Sequence, residues 1–231
     1  MKAACTSFFN KKSGFTLAEV LITLGIIGVV AALVLPGIIT NHRKKEVITK
    51  LKKAYNVTSQ AHYAAAHALS EADPDAIQNN AQKYFKEYWE PYILITKKCK
   101  TYKDCGYASN TPWKYMNGTK SSLWVMLQDT RVAFITNDGV IYIVYNSTQS
   151  GTLVNTARVL VDINGAKAPN KYGEDVFFFD RLPDGAVSAY GNDKNDSQIK
   201  TNCSKSSRGD YCLARILRAG WEIPSDYPIK F

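Results

Sequence analysis

The sequence predicts an α+β protein: a long N-terminal helix, membrane-spanning in its first half, packs through its second half on an antiparallel β-sheet head closed by a disulfide-bounded C-terminal tail. Three observations carry this reading. Between Phe15 and Leu35 lie 21 residues in which Glu19 is the only charge. Past Pro36 the apolar residues recur at helical spacing, and from Val132 onward β-prone runs alternate with turn residues. Cys99, Cys105, Cys203 and Cys212 all lie beyond the long helix, an even count in a segment exported past a membrane.

The apolar run is taken first. As a helix rising ~1.5 Å per residue it measures roughly 31 Å, close to the ~30 Å hydrocarbon core of a bilayer. A secretory signal has a shorter apolar core of about 7–15 residues followed by a small-x-small cleavage site, and this segment has neither feature. The leader Met1–Gly14 carries Lys2, Lys11 and Lys12 and no acid, which keeps the N-terminus cytoplasmic. Losing that leader removes Cys5 and the three lysines, so the formal charge falls from +9 to +6. Glu19 inside the run costs on the order of 2.5–3.5 kcal/mol, so it needs a partner or a task. Gly28 and Ala32 form a small-xxx-small pair that lets membrane helices approach closely.

Residues 37–72 change to an amphipathic pattern. Val47, Leu51, Ala54, Thr58, Ala61, Ala65 and Ala68 follow steps of three and four, a stripe on one face. Lys44, Lys45, Lys50, Lys52 and Lys53 mostly fall off it. Pro36 is expected to kink or weaken the helix, because it has no N–H to donate. The helix is expected to fray before Asp73-Pro74. His42, His62 and His67 read as polar-face or interhelix residues rather than ligands. A short helix is expected over 75–88, ended by Pro91, and residues 92–122 as a polar stapled loop. Val132–Ile135 and Val140–Tyr145 flank Asn137-Asp138-Gly139, a hairpin signal. Further strands are expected at Arg158–Ile163, Val176–Phe179 and Ala186–Tyr190, the last two joined through Pro183-Asp184-Gly185. Asp210–Ala219 reads as a helix closed by Gly220.

Four cysteines allow three pairings, and the short loops favour Cys99–Cys105 with Cys203–Cys212. Zinc is the rival use, but no C-x-x-C pair exists. Between two strands, oxygen donors recur at Asp162, Asn164, Asn170, Glu174 and Asp175 among glycines. Calcium wants such oxygens, and Asp162, Asn164, Asn170 and Asp175 are its candidate ligands. An Asx-rich turn that caps its own backbone explains the same residues. The chain carries no phosphate loop, no H-E-x-x-H and no nucleophile elbow, so the expectation is a non-enzyme.

The run Gly14–Pro36, GFTLAEVLITLGIIGVVAALVLP preceded by Lys11 and Lys12, resembles the prepilin-type signal of type IV pilins and type II secretion pseudopilins. The resemblance implies cleavage after Gly14 by a prepilin peptidase and N-methylation of Phe15. It also implies a pilin-like fold and polymerisation from the inner membrane by an assembly ATPase and platform complex. Glu19 would pair with a Phe15 N-terminus, and Pro36 would close the apolar block. The implied organisation is leader 1–14, transmembrane and polymerisation helix 15–36, amphipathic helix 37–72 and periplasmic head 73–231, in a Gram-negative-type bacterium. Some pseudopilins hold calcium in the head, which adds an analogy for the oxygen-rich loop. Self and other pilin-like subunits are the expected partners. The alternative is a minor tip subunit whose basic head captures DNA or a secretion substrate, since a basic surface can bind nucleic acid.

Overall fold

A computed structural model describes residues 14–68, 81–121, 131–149, 152–182 and 186–231. Helix α1 (Leu17–Ala68) runs on through Pro36, which lies inside it. Its missing N–H removes one hydrogen bond from the ladder without ending the helix. The chain divides into two compact units, one ending at His42 and one beginning at Arg43.

Among the described residues of the first unit the large apolar side chains are exposed. Phe15 is 89 % exposed, and Leu21, Ile26, Val29, Leu33 and Ile38 are all exposed. In water such a surface is unstable; it suits lipid or like helices. In the second unit the amphipathic stripe turns inward: Leu51, Ala54, Thr58 and Ala61 are buried.

The head is a six-stranded antiparallel meander in chain order: β1 (Ile95–Cys99), β2 (Arg131–Thr136), β3 (Ile141–Gln149), β4 (Thr152–Asp162), β5 (Val176–Arg181) and β6 (Val187–Ala189). Before it come α2 (Ala81–Tyr88) and a 3₁₀ turn (Glu90–Tyr92) that contains Pro91. After it come α3 (Asp196–Asn202) and α4 (Cys212–Arg218).

Both faces of the sheet are buried, which is why its strands read as nearly continuous apolar runs. Successive side chains alternate between faces. Tyr142, Val144, Phe177 and Phe179 join one core with Leu51, Phe85, Trp89, Leu213 and Ile216. Ile141, Ile143, Tyr145 and Phe178 join a second core with Tyr102, Tyr107, Trp113 and Tyr115. The first layer is therefore helical, and the second is the aromatic loop that follows Cys99.

Several expectations need adjusting. The 92–122 segment is not wholly loop, because Ile95–Cys99 pairs with β2 as the edge strand. β4 begins at Thr152, earlier than the alternation suggested. α3 was absent from the sequence reading. Of the two places expected for His62 the interhelix one holds and the polar face does not: it is buried, with its ring edge-on at 5.0 Å to Trp89, just past the end of α2. The fraying point at residue 73, the start of the second helix and the 183–185 turn lie outside the described residues.

Both disulfides have the short-loop pairing, Cys99–Cys105 and Cys203–Cys212. The hairpin tip forms as the Asn137-Asp138-Gly139 signal required: Gly139 has φ 78° and its N–H donates to Thr136 O. Lys53 on α1 meets Asp138 at 2.7 Å and ties the helix to that tip.

Candidate functional site

The N-terminal candidates form one local cluster. Gly14 and Phe15 are exposed, and a Cβ added at Gly14 would meet nothing within 4 Å. Packing within the chain therefore does not demand glycine there. The same holds for Gly25 and Gly28.

Glu19 has a partner that the sequence reading missed. Thr16 donates to Glu19 Oε2 from its backbone N–H and from its hydroxyl, each at 2.8 Å, and Glu19 N donates back to Thr16 Oγ1 at 3.3 Å. This is a capping box, T-x-x-E, which satisfies two of the N–H groups that a helix start leaves orphaned. The spacing of Thr16 and Glu19 was legible signal. The carboxylate is thereby held beside the first turn of α1, four residues past Phe15, and near the positive end of the helix dipole.

The oxygen-rich loop between β4 and β5 is built around Asp175. Its Oδ1 accepts from Lys171 N at 2.6 Å, and its Oδ2 accepts from Asn170 N at 2.8 Å and Asn164 Nδ2 at 3.0 Å. Asp162, fully buried at the end of β4, accepts from the Tyr107 hydroxyl at 2.7 Å. With its amide oriented to satisfy its surroundings, Asn170 donates to Asp162 Oδ2 at 3.2 Å and to Lys167 O at 2.9 Å. Asn170 sits at φ 50°, a left-handed conformation that asparagine tolerates. At Gly165 the backbone comes so close to the hairpin tip that a Cβ would lie 2.6 Å from Gly139 O.

Burial raises the Asp175 carboxyl to about 6, against the donations from Lys171, Asn170 and Asn164. Burial, and then the charge of Asp175, pushes Asp162 well above the usual carboxylate range. The four sequence-derived candidates thus do converge. Their oxygens, however, are mostly engaged by the loop's own donors. Asp162 Oδ1 and Asn164 Oδ1 are the buried oxygens of this set left without a hydrogen bond. Among the described residues no three His, Cys, Asp or Glu side chains come together as a metal cluster. Calcium takes about six to eight oxygens, so the arrangement fits a self-capping Asx loop rather than a calcium cage.

Comparison with known proteins bears on both units. Residues 37–231 match the model of a family of unknown function (DUF6613). The chain belongs to this family. Residues 9–35 match the prokaryotic N-terminal methylation motif, so this DUF6613 member carries a prepilin-type signal. No curated protein and no solved structure matches the chain. The two matched segments meet at Pro36. The signal and its apolar helix belong to a pilin-type, membrane-anchored subunit, and the head belongs to DUF6613. Pilin-type subunits assemble with other subunits of their kind and are handled by prepilin peptidase.

Proposed function

We propose that this chain is a structural subunit, pilin or pseudopilin, of a type IV pilus or type II secretion filament. The leader is removed after Gly14 at the inner membrane, Phe15 is N-methylated, and the head stands in the periplasm before an assembly ATPase and platform draw the subunit into the filament. The observation that carries this reading is the methylation-motif match over residues 9–35. The bare apolar surface of α1 between Leu17 and Ile39 supports it. Lipid and a bundle of like helices are about equally apolar, so transfer between them has little hydrophobic penalty.

Glu19 supplies the specific interaction. In the uncleaved chain its carboxylate is occupied by Thr16. Cleavage creates an ammonium on Phe15. In a low-dielectric core an ammonium and a carboxylate attract far more strongly than in water. A subunit entering the filament moves until its ammonium meets an available Glu19, which sets the axial step. Changing Glu19 to Ala should leave membrane insertion and cleavage intact and reduce filament incorporation by tenfold or more, about 1.4 kcal/mol or above. Wild-type incorporation of that variant would reject the pairing.

A further inference from the structure

The C-terminal tail holds a cleft of about 370 Å³ that the filament reading does not use. Its walls are Lys194 just ahead of α3 and Ser197, Gln198, Thr201 and Asn202 along it, faced by Ser207 and Tyr211 from the segment inside the Cys203–Cys212 loop.

The walls are fixed before anything binds. An Asn195–Gln198 capping box starts α3, with Gln198 N donating to Asn195 Oδ1 at 2.9 Å and Asn195 N donating to Gln198 Oε1 at 3.1 Å. Arg218 donates from Nη2 to Asn192 O at 2.6 Å and Lys194 O at 2.7 Å, clamping the approach to α3. Across the cleft, Met116 N donates to Arg208 O and Asn117 N to Ser207 O, which holds that wall to the head. The Tyr211 ring lies flush on Gly191, where any Cβ would fall 2.3 Å from a ring carbon, and edge-on to Tyr190 at 5.0 Å. Burial and the neighbouring Tyr190 push the Tyr211 phenol up to about 12, so it stays protonated.

The lining chemistry narrows the ligand. The hydroxyls of Ser197, Thr201 and Ser207 make no side-chain hydrogen bond among the described residues. The oxygen of Gln198 is engaged, so its amide nitrogen is the group left to donate. Lys194 is compensated by Asp193 at 2.6 Å, so the cleft lacks the uncompensated cation that a phosphate or uronate would need. No aliphatic side chain lines it, as a peptide anchor would require. Hydroxyl and amide groups beside an aromatic ring match a sugar, whose C–H face covers the ring while its hydroxyls meet the polar wall.

We propose that this cleft binds a neutral pyranose ring of a glycan chain, stacked on Tyr211. The inference does not depend on the filament reading, because it rests on the head alone. The test uses the full chain in detergent, with saturation-transfer NMR and calorimetry against chitotetraose, maltotetraose and tetragalacturonate. Binding to chitotetraose or maltotetraose is expected, and which of the two binds separates an N-acetylated wall glycan from a plain hexose glycan. Tyr211→Ala should weaken binding by about tenfold or more, and Tyr211→Phe should largely keep it. Ser197→Trp, on the exposed face of α3, should block the cleft without disturbing the core. No transfer from either neutral sugar overturns the proposal. So does binding of tetragalacturonate alone, or neutral-sugar binding that survives Ser197→Trp.

Discussion

Replacing Asp175 with Asn tests whether the β4–β5 loop is held by a buried, perturbed carboxylate. In the folded head its carboxyl is raised to about 6 from an ordinary 3.8. The unfolded chain therefore releases this proton first as pH rises. Between these two values the folded state binds more protons than the unfolded one, and stability falls with increasing pH. The contribution is fully present below about pH 3.8 and is lost as pH rises through about 6. With these two values, linkage gives a loss of about 2 kcal/mol between pH 4.5 and 7.5 through this group alone. Asp175→Asn removes that component. It also weakens three hydrogen bonds, from Lys171 N, Asn170 N and Asn164 Nδ2, so the variant is less stable at every pH. The penalty of the substitution should shrink by about 2 kcal/mol from pH 4.5 to 7.5. Urea unfolding of wild type and variant, followed by tryptophan fluorescence at five or so pH values, reads that difference. Parallel curves would show that Asp175 titrates as an ordinary carboxylate. A penalty that grows with pH would show that the ionised form is the stabilised one, as a bound cation would make it. Repeating the series with millimolar calcium should leave the curves unchanged.

Two further perturbations address the fold. Gly165→Ala should destabilise the head by about 1–3 kcal/mol in the same urea assay, because residue 165 has φ 68° and its new Cβ would press on Gly139 O; an unchanged midpoint would contradict the close approach of loop and hairpin. Replacing Cys203 and Cys212 together with Ser should cost about 2–4 kcal/mol, the usual value for a loop of this size; both sulfurs are buried, and a loss under about 0.5 kcal/mol would show that the tail is held by its packing alone.

Much of this architecture was legible in the sequence because single physical causes dominate it. An uninterrupted apolar run, the Leu51–Ala61 stripe and the Asn-Asp-Gly turn each admit few structures, and all three appear where expected. The elements that escaped did so for identifiable reasons. In Ile95–Cys99 the exposed Lys97 and Lys98 mask a strand, and its pairing slips between Ile95 and Lys97. α3 is only seven residues long and buries only Ile199, so no periodicity reveals it. Its Asn195–Gln198 capping box was the available signal, as Thr16–Glu19 was for α1. The second core was hidden because loop aromatics, from Tyr102 to Tyr115, have no period. In the oxygen-rich loop, sequence located the right residues, but only geometry shows that Asp175 spends its oxygens on two backbone N–H groups and the Asn164 amide.

The central claim is that α1 becomes a polymerisation helix when the chain is cut between Gly14 and Phe15. Mass spectrometry of the N-terminal peptide, taken from protein purified out of its native cell, tests this directly. The account predicts a mature terminus at N-methylated Phe15, with Thr16 and Glu19 following unmodified. Recovery of an intact peptide beginning at Met1 as the dominant species, or a cut elsewhere in the apolar run, would contradict it.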